Sequence, residues 1–420
     1  MEEIFVSIWC ITYNHEEYIR DAIEGFLMQK TNFRYEIIIH DDASTDRTAE
    51  IIREYEQKYP DLIHGIYQES NQYSKNKPSI KWIWELEKHN CKGKYISVCE
   101  GDDYWIDDQK LQLQVDYLER HPECVMTFHN TLEMDYRYPD KVKSREIYPN
   151  DCYVFSEDII MQKVIIPAAS MVYRREILDM NGFFLKAGIG DYPAVMFALT
   201  KGNIYYFNRI MSVYRYFRKG SWTTSIIQNT SSYIIHNIML IDFLKKYDEY
   251  TCTRFNKFII SKIQSRVDII MDLCHGEMIN GLSDIYKKCD EESNGKYHVF
   301  FRKIRRLHLQ IHDKDYLDEK VYTFVKKFKK IVIMGAGKYA GIIQRQLKQH
   351  KINFEGFVVS NNQNADKTYF DKPVWKFNDF PLDTKDVGII IGINPIIWNE
   401  ILDTLKETGF KNYICPFLLE

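Results

Sequence analysis

Short apolar runs alternate with helically spaced apolar positions over the first third of the chain. Phe5 to Thr12 and Tyr35 to His40 read as buried strands, and helical spacing follows each, near Glu17 to Gln29 and from Thr45 to Lys58. That βαβα order predicts a largely parallel sheet covered by helices. Leu62 to Gln68 and Tyr95 to Cys99 are expected as the third and fourth strands. The polar stretch Asn71 to Pro78 reads as a loop over the sheet rim, and Ile80 to His89 as a helix.

Val125 to Phe128, Ser170 to Tyr173 and Ile204 to Phe207 read as further strands, with a helix from Asp191 to Thr200. After Trp222 the period changes: Ser231 to Tyr247 and Phe255 to Leu273 are long helical patterns with few Gly or Pro, and helical character persists to about Phe328. A new βαβ unit starts at Lys330, where Ile331-Val332-Ile333-Met334 enters Gly335-Ala336-Gly337 and a helix ends near His350. Phe354 to Ser360, Val387 to Ile393, a helix from Ile396 to Glu407 and a strand near Tyr413 complete it. The pattern therefore predicts three segments: an α/β domain over 1–225, a helical connector over 226–328, and a small doubly wound domain over 329–420.

Two acidic clusters stand at predicted strand ends: Asp41-Asp42 after Glu36 to His40, and Glu100-Gly101-Asp102-Asp103 after Lys94 to Cys99. Ligands of open α/β sheets bind beyond the carboxyl ends of the strands. Crowded carboxylates repel unless a cation or hydrogen-bond donors stabilise them, and hard oxygen ligands suit Mg²⁺ or Mn²⁺, so a metal holding a diphosphate is the expectation. Asp41 to Asp46 also opens a helix, which Ser44 or Asp46 can cap.

A net charge of −3 carries no global signature of nucleic-acid binding. The nine cysteines include no Cys-x-x-Cys pair and no zinc-type spacing, which predicts reduced, mostly buried thiols. No apolar run approaches the ~20 residues that span a bilayer, and the start Met1-Glu2-Glu3-Ile4 lacks a basic region before an apolar stretch, so a cytoplasmic protein, peripheral to the membrane at most, is expected.

Five ordered motifs resemble the inverting glycosyltransferases of family 2: Val6 to Asn14, Asp41 to Asp46, Glu100 to Trp105, Gly190-Asp191-Tyr192-Pro193 and Ser212 to Arg215. The resemblance covers about the first half of the chain and implies the GT-A fold, followed here by the connector and a Rossmann-like doubly wound domain. It implies a nucleoside-diphosphate sugar donor, UDP-linked by preference, a glycan or lipid-linked acceptor, and bacterial surface polysaccharide as the product. Thr12 and Tyr13 would bind the nucleotide, with the Tyr13 ring stacking on a pyrimidine or else packing locally. Asp42 would accept from the uracil imide with Asp41 in support, although acids at a helix N-terminus also have a structural use.

Glu100-x-Asp102-Asp103 matches the family's Asp-x-Asp element with Glu in first place, which implies Asp103 as a Mn²⁺ or Mg²⁺ ligand and Asp102 on the metal or the ribose. Asp191 would be the general base, or would only cap the helix after it. Many relatives carry a histidine shortly after the Tyr-Arg pair, whereas this chain runs Tyr214-Arg215-Tyr216-Phe217-Arg218-Lys219. Arg215, Arg218 or Lys219 can bind the diphosphate there instead, or form a solvated basic loop. Trp105 and Trp222 can stack on an acceptor sugar or belong to the core.

Gly335-x-Gly337-x-x-x-Gly341 lies between strand and helix as a phosphate-binding turn would, but no acid follows the second strand, so a binding or assembly module is expected rather than a dehydrogenase. The basic run Arg302-Lys303-Ile304-Arg305-Arg306 can touch an anionic membrane, mediate a homo-oligomer, or stay solvated. Two rival functions remain open. A metal-dependent nucleotidyltransferase should show a glycine-rich basic loop near Cys10 to Glu17, which is lacking, and a non-enzymatic sugar-nucleotide-binding assembly protein should tolerate Asp191→Asn.

Overall fold

The computed structural model describes residues 3–76, 79, 81–138, 141–218, 224, 229–275, 291, 299, 303, 306–307, 309–310, 316–360, 368–381, 386–393, 401, 405 and 410–417. The chain divides into two compact units, Met1–Ile259 and Ile260–Glu420. The helix Thr230–Tyr250 lies within the first unit, where Phe243 and Tyr247 pack their rings against Phe184.

The first unit is built on a ten-stranded sheet. Its leading half alternates β1 (Val6–Thr12), α1 (Ile19–Leu27), β2 (Tyr35–Asp41), α2 (Thr48–Lys58), β3 (Ile63–Tyr67), α3 (Gln72–Asn76), α4 (Lys81–Asn90) and β4 (Tyr95–Glu100). Then come β5 (Tyr104–Trp105), α5 (Lys110–Arg120), β6 (Cys124–Asp135), β7 (Val142–Ser144), β8 (Cys152–Tyr153), α6 (Ser156–Ile160), β9 (Val172–Arg174), α7 (Tyr192–Lys201) and β10 (Asn203–Tyr216). The order is β3-β2-β1-β4-β9-β6-β10-β5, with β7 on β6 and β8 on β10. β3, β2, β1 and β4 are parallel, as the βαβ pattern predicts, whereas β9 runs antiparallel to both neighbours and makes the sheet mixed.

Alternation along β1 decides which face each residue meets. Val6, Ile8 and Cys10 join Ile19, Ile23 and Phe26 of α1 in one core, while Trp9 stacks on His40, which in turn meets Trp82 of α4. With both faces covered, β1 reads as a continuous apolar run rather than an alternating one. β6 and β10 are far longer than their apolar stretches suggest, 12 and 14 residues. The register between them shifts around Ile210, so the polar interruption Asn208-Arg209 is absorbed as a bulge and the strand goes on to Tyr216.

The second unit contains a six-stranded sheet over Lys330–Met334, Gly356–Val359, Thr368–Tyr369, Lys372–Lys376, Val387–Ile391 and Tyr413–Ile414. Numbered along the chain without the Thr368–Tyr369 edge, its parallel strands stand in the order 3-2-1-4-5, that of a doubly wound half-sheet. The helix Lys338–Gln349 follows the first of them. Most of the expected helix at 396–407 and of the basic run at 302–306 lies outside the described residues; within that run, Arg306 pairs with Asp318 at 2.9 Å. No helix among the described residues is long and apolar enough to cross a membrane. The described cysteines are all free, with Cys10, Cys91, Cys99 and Cys124 buried.

Candidate active site

Three parallel strands end at one rim. β1 delivers Thr12, β2 delivers Asp41 and Asp42, and β4 delivers the turn Glu100 to Asp103. The loops after β1 and β2 are laced together: Asn14 Oδ1 accepts from Thr45 N at 2.8 Å, His15 N donates to Thr48 Oγ1 at 2.8 Å, and Glu16 N donates to Asp46 Oδ2 at 3.1 Å. Asn14 and Ala43 take left-handed backbone conformations to make these turns.

The two acidic clusters differ in how their charge is met. Asp41 Oδ1 accepts from Ser44 Oγ at 2.5 Å and Oδ2 from Ser44 N at 3.2 Å. Asp42 accepts from Gln72 N at 2.7 Å on Oδ1 and from Tyr73 N at 3.0 Å on Oδ2. The segment expected as a loop is therefore opened by the short helix α3, whose free amides Asp42 caps. Each Asp42 oxygen keeps a lone pair for a further donor. Tyr13 is exposed beside this loop, with 42% of its surface accessible.

The second cluster is crowded with carboxylates and arginines. Asp103 is buried; its Oδ1 accepts from Arg215 N at 2.9 Å, while Oδ2 is buried with no protein partner. Burial, followed by the charges of Asp102 and Glu100, holds Asp103 well above the usual carboxylate range. The same burial, followed by Asp102 and Asp191, pushes Glu100 up to about 8, against the opposing pull of Arg218. Asp102 Oδ2 is ion-paired with Arg218 Nε. Arg215 is embedded: it donates to the Asp102 carbonyl at 2.7 Å, pairs with Asp21 Oδ2, and lies 4.3 Å from the Tyr104 ring centroid. Arg215 therefore braces the turn from within, and Arg218 carries the direct ion pair to Asp102.

Gly101 makes this packing possible. A Cβ there would stand 2.7 Å from Thr12 Oγ1, so the acidic turn can lie against the end of β1 only without one. Thr12 Oγ1 in turn meets His15 Nδ1 at 3.0 Å, and His15 Nε2 meets an Arg218 terminal nitrogen at 2.7 Å. Burial pushes His15 down to about 4.

Asp191 stands just before α7 and follows Gly190, whose φ of +70° makes the turn. Its carboxylate makes no capping hydrogen bond to α7. It is solvent-accessible yet ringed by protein, and the loss of water around it raises its pKa. Its charge is felt by Glu100 and by the buried Glu87 of α4, which accepts from Tyr173 OH at 2.5 Å and is pushed up to about 8, chiefly by burial.

Trp105 corrects one expectation. It is 2% exposed, packs on Phe26 at 4.8 Å and donates from Nε1 to the Ala169 carbonyl at 2.8 Å, so it is a core residue and offers no face to a sugar. An apolar ring in a turn gave no sign of whether α1 would cover it. Trp222 and Lys219 lie outside the described residues. Sequence reading missed His15, Asp21, Glu87 and Tyr173; only His15 carried a signal, a titratable ring three residues after Thr12 in the same polar turn.

For a divalent cation the donor set is small but suitable. Among the described residues no group of three or more His, Cys, Asp and Glu converges. The orphaned Asp103 Oδ2 is nevertheless a buried hard oxygen without a partner, and Mg²⁺ is commonly held by one or two carboxylates with the rest of its shell from substrate phosphates and water.

In the second unit, Gly335 has φ +102° and a Cβ there would stand 2.7 Å from the Gly392 carbonyl oxygen. Gly337 has open space where its Cβ would be, and Tyr369 OH donates to its carbonyl at 3.3 Å.

The sequence model of the family described as "Glycosyl transferase family 2" matches residues 7–180. An uncharacterized protein of Mycobacterium bovis is 36% identical over 227 residues, 52% of this chain and 60% of its own length. A Bacillus subtilis protein named "Putative teichuronic acid biosynthesis glycosyltransferase TuaG" is 33% identical over 126 residues, 29% of this chain and 45% of its own length. The chain thus spans about 60% of the mycobacterial relative and less of the Bacillus one. Among solved structures, S. aureus TarS 1-349 in complex with UDP-GlcNAc aligns with a TM-score of 0.43 at 16% identity, over 69% of this chain and 92% of that one. Residues 7–180 thus resemble glycosyl transferase family 2.

Proposed function

We propose that the first unit is an inverting glycosyltransferase that moves a sugar from a nucleoside-diphosphate donor, UDP-linked, to a glycan or lipid-linked acceptor in surface polysaccharide synthesis. The observation that carries this reading is the division of labour at the rim: one acid pair met by amides and a hydroxyl, a second met by arginines, and a separate uncommitted carboxylate at Asp191. The relation to a protein named for teichuronic acid biosynthesis supports the polysaccharide class.

In this reading Tyr13 stacks on the base, Asp42 accepts from the uracil imide with Asp41 in support, and Thr12 borders the nucleotide. Asp102 faces the ribose, and Asp103 Oδ2, with Asp102, would hold Mg²⁺ or Mn²⁺. The cation, when bound, neutralises charge on the departing diphosphate. Arg218 adds a permanent positive charge there, since a guanidinium stays protonated, and Arg215 holds the turn in place.

Asp191 takes the proton of the acceptor hydroxyl as its oxygen attacks the anomeric carbon opposite the diphosphate, which inverts configuration. Its raised pKa suits the task, because a base is most effective when its pKa approaches the working pH. The uncommitted Asp191 carboxylate favours transfer over the assembly-protein alternative, which has no use for a base.

The test is a panel of nucleoside-diphosphate sugars, monitored for nucleoside-diphosphate release with and without EDTA. Release from a UDP-sugar that Asp42→Ala abolishes at the binding step is the expected result. Absence of release and of saturable binding for every donor would refute the reading.

A further inference from the structure

Arg218 is a permanent cation, and a long unbranched side chain needs something to hold its head in one place. Two of its bonds reach groups of the rim: Nε is paired with Asp102 Oδ2, and a terminal nitrogen lies 2.7 Å from His15 Nε2. A guanidinium only donates, so His15 Nε2 must accept. The His15 proton is therefore on Nδ1, and the 3.0 Å contact with Thr12 Oγ1 is a bond donated by the imidazole. The ring's own place is fixed from its backbone, where His15 N donates to Thr48 Oγ1 at 2.8 Å, and His15 is 7% exposed. A continuous path thus runs from the end of β1 through the imidazole to Arg218 and on to the turn after β4. It joins residues 203 and 116 positions apart in sequence.

We propose that His15 is a positioning residue for Arg218, setting the guanidinium where it meets the negative charge of the donor's diphosphate. This rests on the donor-site reading given above. No histidine stands between Tyr214 and Lys219, and the imidazole beside Arg218 comes instead from the loop after β1. Asp102, Asp46, Arg215 and Arg218 are the charges around the ring, and burial outweighs them in keeping it neutral. A neutral ring accepts from Arg218 without adding a second positive charge beside it.

The two sides of the imidazole can be replaced separately. Glutamine reaches the Nε2 position and keeps an acceptor for Arg218, whereas asparagine reaches only the Nδ1 position and keeps the contact to Thr12. Binding of uridine diphosphate in EDTA, measured by calorimetry on the full chain, should weaken about tenfold in His15→Asn and return to within about threefold of the parent in His15→Gln. In Arg218→Gln, adding His15→Asn should cost nothing more, because the imidazole acts through a side chain already removed.

Equal weakening in the two His15 variants, with a matching fall in melting temperature, would show a structural role and overturn the proposal. So would full additivity with Arg218→Gln. If Arg218→Gln weakens binding while both His15 variants bind as the parent does, the donor site stands and the role of His15 falls. If the parent protein binds no nucleoside diphosphate, the donor-site reading itself falls, and this proposal with it.

Discussion

Two strand-end turns in this molecule occupy the same topological place and do different things. The turn after β4 and the turn after Lys330–Met334 each leave the carboxyl end of a central parallel strand, and each contains a glycine whose Cβ would clash. At Gly101 the obstacle is the side chain of Thr12, and the turn gathers Asp102, Asp103, Arg215 and Arg218. At Gly335 the obstacle is the Gly392 backbone, and the bonds described at the turn are neutral ones, Gly335 N to the Val358 carbonyl and Tyr369 OH to the Gly337 carbonyl. Topology supplies a rim to both units, but only side chains brought from distant parts of the chain turn a rim into a site.

The largest expected effect probes the support beneath the first turn. Phe26→Ala removes the ring that packs Trp105 behind the acidic cluster and should cost about 3–5 kcal/mol, read by denaturant unfolding of the first unit. Gly335→Ala should destabilise the second unit by about 1–3 kcal/mol, since it meets both a carbonyl and a left-handed φ. Gly101→Ala should instead weaken nucleotide binding as well as stability, because the added methyl presses on Thr12 Oγ1 and Cβ and on the buried Ile19. If the two alanine variants behaved alike, the contrast between a chemical turn and a structural one would fail.

A pH effect separates the units further. Glu87 is raised from 4.5 to about 8 by burial, so the folded state holds a proton that the unfolded chain releases. The folded unit therefore binds more protons than the unfolded one between those values, and its stability falls as pH rises through that window. Glu87→Gln should reduce the decline to the share that Glu100, also held at about 8, contributes, measured as melting temperature of the first unit against pH. An unchanged slope in that variant would place the cause elsewhere. The smallest effect is expected at Gly337→Ala, within about ±0.5 kcal/mol and without change in the first unit, since the added methyl meets open space.

The parallel half of the sheet was legible because both of its faces are buried: Val6 to Thr12, Glu36 to His40 and Tyr95 to Cys99 are near-continuous apolar runs that admit little else. The length of β10 was not, because Asn208 and Arg209 break its pattern and only the pairing with β6 carries the strand across the bulge. The acids at the strand ends could be read in the same way, since a carboxylate after a buried run is conspicuous. Their partners could not. Arg218 meets Asp102 across 116 residues and His15 across 203, distances over which no local spacing carries information. Trp105 could not be assigned between sugar platform and core for a related reason, since its burial depends on α1, where Gly25 brings the helix close enough to cover it.

The central claim is that one carboxylate, outside both acidic clusters, does the chemistry while the clusters hold the donor. The most direct test compares the parent chain with Asp191→Asn, measuring uridine diphosphate affinity and the rate of transfer from the preferred UDP-sugar. The account predicts a transfer rate lower by about 10²–10⁴ with affinity unchanged. A variant that transfers at the parent rate, or loses nucleotide binding in step with activity, would contradict it.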